Sequence, residues 1–180
     1  LFRSCTIVPE LHLGVSLRSF RSDKLSAFIK ALLDNHPQQA ADLCQELQSS
    51  YPIVLTRNFD TAKLWVKSHA RGTERYGLLA SSEGKRLRGA GIWVPTQIDH
   101  VNWFLKGKDH VDSSYYLEVA ASEFKVQGLE VDYAIVAWDA DFRYINGDFD
   151  YFRFRGTRWN HTNIKQRQQY QKNAYRVLLT

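Results

Sequence analysis

The sequence predicts an α/β fold built on a mostly parallel sheet with flanking helices, and three observations predict it. Leu25, Phe28, Ile29, Leu32 and Leu33 recur at the spacing of one helix face. An apolar run at Ile53-Val54-Leu55, a helical stretch with Ala62, Trp65 and Val66 on one side, and a second run from Tyr76 to Ala80 succeed one another. That is the order of a strand–helix–strand unit, whose strands pair in parallel. Ala134 to Trp138 is a further apolar run, as in a buried strand.

In chain order, Leu11, Leu13, Val15 and Leu17 alternate with other residues, the period of a strand. Ser22 or Asp23 is expected to cap the first helix, and Asn35-His36-Pro37 stops it. A second helix carries Ala40, Leu43, Cys44 and Leu47. After the strand at 53–55, Asp60 or Thr61 caps the third helix and Gly72 ends it. The stretch from Ser82 to Arg88 is basic, and Gly89 and Gly91 open a loop. Trp93, Trp103 and Phe104 suggest a packed insertion at about 92–114. Phe149 to Trp159 alternates aromatic and basic residues, as a hairpin would, and Asn163 to Leu179 keeps a broken helical period.

A chain of 180 residues with 44% hydrophobic and 24% charged residues fits one folded domain or lobe and excludes wholesale disorder. The net charge of +5 favours polyanions such as nucleic acid through counterion release, although many ordinary domains carry as much. Cys5 and Cys44 form neither a disulfide framework nor a zinc pattern, so a reducing cytoplasm is the expected location. No apolar run approaches the roughly 20 residues of a membrane span, so no membrane partner is expected. The start, Leu1 to Cys5, lacks a signal-peptide layout, and the absence of any Met is expected of a fragment whose natural start lies upstream.

The most informative segment is Ser122-Glu123-Phe124-Lys125-Val126-Gln127-Gly128-Leu129-Glu130, followed by Val131-Asp132-Tyr133 and the buried run. Gly128 frees the backbone for a turn, and Gln127 and Glu130 put polar groups where a strand begins. By pattern alone this is a loop leading into a strand. It also resembles motif V of superfamily-one helicases, Thr-x-x-x-x-(Lys/Gln)-Gly-Leu-Glu, with Ser122 in the Thr place. The resemblance implies that Gln127 and Gly128 approach a triphosphate, that Glu130 holds the nucleotide ribose, and that Ser122 meets nucleic acid. Ser19-Phe20-Arg21-Ser22 is similar to motif IV, which implies that Arg21 reaches the γ-phosphate as a catalytic residue. Asn173 to Thr180 resembles the run-in to motif VI. The family continues with Thr-Arg-Ala-Arg, so the arginine of that motif would be supplied beyond Thr180.

Tyr51 to Asn58, Arg71 to Ser82, and Tyr115 through Asp141 extend the resemblance over nearly the whole chain, to one bacterial family, the Schlafen group-three-like DNA/RNA helicases. It implies that residues 1–180 are a single RecA-like C-terminal lobe of a P-loop NTPase. No Gly-x-x-x-x-Gly-Lys-(Ser/Thr) occurs, so the phosphate cradle and the acidic magnesium site are expected in an upstream RecA-like lobe. ATP with Mg2+ would be bound mainly there, and this chain alone would not hydrolyse it. The implied partners are that lobe and single-stranded DNA or RNA, with Arg57 of Thr56-Arg57-Asn58 as a phosphate contact.

Weaker patterns point elsewhere. Asp139 and Asp141 at a strand's end could take magnesium, but a solvated loop is the preferred reading. The six histidines lack metal-ligand spacing, and no metal site within this chain is expected. The aromatics and arginines of Tyr151 to Trp159 suit either base stacking or a half-buried hairpin, and the hairpin is preferred. The rival functions are a non-catalytic nucleic-acid-binding module, an NTPase switch that does not unwind, and, more distantly, a nuclease.

Overall fold

In this computed structural model the described residues are 20–180, with side chains from residue 23 onward. The strand expected over Leu11–Leu17 lies outside them. Helix α1 (Phe20–Leu33) pairs with α2 (Pro37–Leu47). Its turn at Asn35 adopts a left-handed φ of 59° before Pro37, which opens α2 because proline lacks the N–H that a first helical turn leaves unbonded. Ser22 and Asp23 lie inside α1 rather than capping it, since the helix already runs from Phe20.

Leu25, Phe28, Ile29 and Leu33 of α1 are buried with Ala40 and Leu47 of α2. The same cluster holds Phe142 and Tyr175. These belong to β3 (Phe142–Ile145) and to the last helix, α5 (Lys165–Leu179). Two polar ties fix this packing. Asp34 at the end of α1 pairs with Lys172 of α5 at 2.6 Å. The Lys172 hydrogen bond holds the Asp34 carboxyl below its usual range. Asn35 Nδ2 donates to the carbonyl of Gly147 at 2.8 Å.

The apolar run Ile53-Val54-Leu55 is not a buried strand. It has no strand partner among the described residues, and its side chains are 39%, 58% and 96% exposed. Apolarity alone selected it, and Pro52 beside it has no N–H to give a ladder. Helix α3 (Phe59–His69) follows, capped by Asn58, whose side chain accepts from Thr61 N at 2.9 Å. The cap thus precedes the expected Asp60 or Thr61, and the helix ends at Ala70, before Gly72.

Strands β1 (Tyr76–Ala80) and β2 (Tyr133–Ala137) pair in parallel, with Leu78 opposite Ile135. Every residue of β1 is buried. On its other edge β1 bridges Ala121, whose N–H donates to Leu78 O at 2.9 Å, and Trp93 bridges Val119 beyond it. Among the described residues parallel pairing is confined to this small layer. The other sheet is antiparallel, in the order β3, β4 (Asp148–Arg155), β5 (Arg158–His161). The architecture among the described residues is therefore mixed α/β with two small sheets, not the mostly parallel sheet expected. The strand–helix–strand reading counted 53–55 as a strand and left out β3. The hairpin expected at 149–159 is present as β4 and β5.

Trp103, on the short helix α4 (His100–Leu105), is the buried anchor of the region expected to be an insertion. Its indole N–H donates to Val119 O at 3.1 Å. Trp93 instead is 54% exposed. The Trp103 indole packs close against the backbone of β1, where a Cβ on Gly77 would come within 2.9 Å of the ring. No helix among the described residues is long and apolar enough to cross a membrane.

Gly77→Ala should therefore lower stability by about 1–3 kcal/mol, the cost of overpacking a filled core, even though alanine ordinarily suits a strand better than glycine. Thermal unfolding measures it, and an unchanged midpoint would mean that the indole is not seated on β1.

Candidate functional site

The C-terminal end of β1 opens into a groove of about 570 Å³. Its walls come from three places: Ser81 to Glu83 after β1, the turn from Glu123 to Gln127, and one side of α5 with Arg167, Tyr170, Ala174 and Val177. Those four recur at intervals of three and four, so they form one stripe along the helix. The neighbouring stripe of α5, Gln171, Tyr175 and Leu178, faces the protein interior.

The turn begins at Ser122, whose carbonyl accepts from Lys125 N at 2.7 Å and Val126 N at 3.1 Å. Ser122 is only 5% exposed, so its hydroxyl lies beneath the surface. Glu123 is 6% exposed and holds the turn to β1. Its carboxylate accepts from Ser82 N at 2.8 Å and from Ser82 Oγ at 2.6 Å. Gly128 sits at φ 84°, and a Cβ there would meet nothing within 4 Å. The constraint on Gly128 is thus its backbone conformation, and its outer face is open to a ligand. Gln127 lines the groove and is exposed, as is Glu130.

Of the residues singled out in the sequence, Ser122, Gln127, Gly128 and Glu130 share this one turn. Arg57 is exposed on the 51–58 segment and does not line the groove. Arg21 falls in the first turn of α1, with its side chain outside the described residues.

Asp139 and Asp141 do not form a solvated loop. Asp141 is fully buried and Asp139 is 8% exposed. Asp141 accepts from Tyr175 OH at 2.5 Å, from Ser81 Oγ at 3.1 Å and from Gln171 Nε2 at 3.1 Å. Asp139 accepts from Arg86 N at 3.2 Å, and its own N–H donates to Tyr175 OH at 3.3 Å. Burial pushes the Asp141 carboxyl up to about 6, partly opposed by those three donors. Ser81 and Gln171 line the groove, so the carboxyl lies directly behind its wall. Among the described residues no group of three or more His, Cys, Asp or Glu side chains is arranged to hold a metal.

The rings of the hairpin are half-buried, as that reading expects, and Phe152, Phe154 and Trp159 receive cations from outside it, while Arg155 and Arg158 are exposed. The Arg143 guanidinium stands 3.9 Å over the Phe152 ring and 5.1 Å from that of Trp159. Arg153 pairs with Glu83, and Arg86 lies 4.9 Å over Phe154. Sequence reasoning missed the Asp141 junction, Glu123, Phe124, Thr162 and Tyr170. For Glu123 a signal existed, a carboxylate inside an otherwise neutral stretch after two alanines. For Asp141 none did.

Asp141 gives a pH dependence of defined sign. Its carboxyl ionises near 3.8 when unfolded and near about 6 when folded, so between those values the folded chain holds the proton more tightly. Stability should fall as pH rises through that window, by up to roughly 3 kcal/mol, and stay at the lower level above it. Urea unfolding across the window should show this slope in the wild type and a flattened one in Asp141→Asn. An identical slope in both would assign the titration to another group.

No curated protein and no solved structure gave a match to this chain. A family model, described as Schlafen group 3, DNA/RNA helicase domain, matches residues 3–180. That span takes in the turn, the groove and the buried junction behind it, and the chain belongs to the Schlafen group 3 DNA/RNA helicase domain family.

Proposed function

We propose that this chain is the second, RecA-like motor lobe of an ATP-dependent DNA/RNA helicase or translocase, closing on ATP and Mg2+ held mainly by an upstream lobe. The observation that carries the reading is the turn from Ser122 to Glu130, which begins beside the C-terminal end of β1, where Ala121 bridges Leu79 in parallel. In open α/β sheets this is where ligands bind. The open backbone at Gly128 suits the approach of a phosphate group, because no side chain stands in front of it. Three carboxylates around the turn do not suit magnesium: Asp139, Asp141 and Glu123 are all buried and hydrogen-bonded within the protein. The metal ligands would then belong to the other lobe.

ATP, when bound, supplies the phosphoryl group transferred to water. On this reading Arg21 places its guanidinium against the γ-phosphate, where charge builds up. Glu130 accepts from the ribose hydroxyls, and Gln127 and Gly128 form the wall between. Ser122, expected to meet nucleic acid, is buried at 5% exposure, and on this reading it acts only by starting the turn. Arg57 contacts the backbone of a single strand. Closing and reopening of the lobes would step the enzyme along that strand.

The test is single-strand-stimulated ATP hydrolysis by the complete parent protein and its Arg21→Ala variant. The variant should fall at least about tenfold. Absence of hydrolysis in the intact parent would overturn the motor and leave a nucleic-acid-binding module. Hydrolysis indifferent to Arg21 would keep the ATPase and remove Arg21 from it.

A further inference from the structure

Two aromatic rings on the groove leave their faces unpacked, although the Tyr170 hydroxyl accepts from Gln166 Nε2 at 2.8 Å. Phe124, on the turn, is 70% exposed, and Tyr170, on α5, is 62% exposed. Both line the groove, and neither makes a ring–ring contact among the described residues. The other rings near this end of the molecule are stacked against one another, as Trp138, Phe142 and Tyr175 are. A third group is also unfinished. Thr162 lines the same groove at 6% exposure, and its hydroxyl has no hydrogen-bond partner among the described residues. Buried polar atoms are rarely left so.

The chemistry around these groups narrows the occupant. The two acids of the lining are already satisfied, Glu83 by Arg153 and Glu123 by Ser82. What is left to offer is aromatic faces, the amide of Gln127 and the guanidinium of Arg167, which has no ion-pair partner among the described residues. Flat faces for stacking, an amide for edge hydrogen bonds and a cation for a phosphate together match a nucleotide better than a lipid or an acidic peptide. The volume, about 570 Å³, is within the range of ordinary small-molecule sites.

We propose that the groove between the Glu123–Gln127 turn and α5 is a nucleobase-binding site, with Phe124 and Tyr170 as its stacking faces. Gln127 reads the edge of the base and Arg167 meets its phosphate. The site rests on reading this end of the molecule as facing nucleic acid or nucleotide, and it does not require that the chain take part in hydrolysis. Because both rings are exposed, each can be replaced without loss of core packing.

The experiment measures binding of the complete parent protein, without ATP, to a fluorescent oligothymidylate and to an abasic strand of equal length. The base-bearing strand should bind at least about fivefold tighter. Phe124→Ala and Tyr170→Ala should each lose about five- to tenfold for the base-bearing strand and little for the abasic one, while Tyr170→Phe keeps the wild-type preference. Photo-cross-links from an iodouracil-bearing strand should map to the turn or to α5. Adenosine monophosphate that competes with the strand and depends on the same two rings would identify a free nucleotide as the source of the base. Failure to compete would identify the strand. Equal binding of both strands, unchanged in the variants and with no rings-dependent binding of the mononucleotide, overturns the site. Strand-stimulated hydrolysis without base dependence would overturn the site and leave the motor. Base-dependent binding without hydrolysis would do the reverse.

Discussion

The rest of the molecule is arranged around one buried carboxyl. Asp141 lies just after β2, where the chain leaves the parallel layer for the antiparallel sheet, and it is wholly out of water. A carboxyl in that position is tolerated only with donors around it. They come from two parts of the fold: Ser81 after β1, and Gln171 and Tyr175 on α5. Gln171 also donates to the carbonyls of Asp141 at 2.8 Å and Phe152 at 3.1 Å, so one amide ties the segment between the sheets to β4. The rings of Trp138, Phe142 and Tyr175 close over the junction, with centroids 4.4 Å to 5.6 Å apart. Because satisfying Asp141 requires α5 to lie against the ends of both sheets, the same requirement builds one wall of the groove.

Basic charge and aromatic content do not by themselves mark a nucleic-acid surface here. The most suggestive stretch, Tyr151 to Trp159, directs much of its chemistry inward: cation–π contacts join Arg143 to Phe152 and Arg86 to Phe154, and Arg153 is ion-paired. Such contacts give a small antiparallel sheet lateral cohesion that a short ladder of hydrogen bonds lacks. The aromatic residues left in contact with solvent at the groove come from the turn and from α5, segments whose composition drew less notice.

How much was legible depended on whether a residue's role is set by its near neighbours in the chain. Helices α1 and α2, strand β1 and the β4–β5 hairpin follow from periodicity and turn residues, which are local, and they are where the pattern placed them. The segment 53–55 shows the limit. Three apolar residues in a row fit a buried strand, but a strand exists only if a distant partner pairs with it, and among the described residues none does. The turn from Ser122 to Glu130 was recognisable because its glycine and polar residues are close in sequence. The groove was not, because Thr162 and Tyr170 join Phe124 only through the tertiary fold. Asp139 and Asp141 looked like surface acids for the same reason, since their donors lie some thirty to sixty residues away.

Helix α5 shows why a weak pattern can carry two functions. Its period looked broken because two adjacent stripes are both used, and neither is purely apolar. Gln171, Tyr175 and Leu178 meet the interior, while Tyr170, Ala174 and Val177 meet the groove. Each groove residue is the immediate neighbour of a residue that packs inward. An α-helix of 15 residues is stiff, so a shift of the groove stripe carries the inner stripe with it. The hydrogen bonds to Asp141 restrain such a shift, because moving α5 would uncover a buried carboxyl and open the aromatic cluster above it. The groove is therefore held in one shape by the most polar point of the core, which is what pre-organisation of a binding site requires.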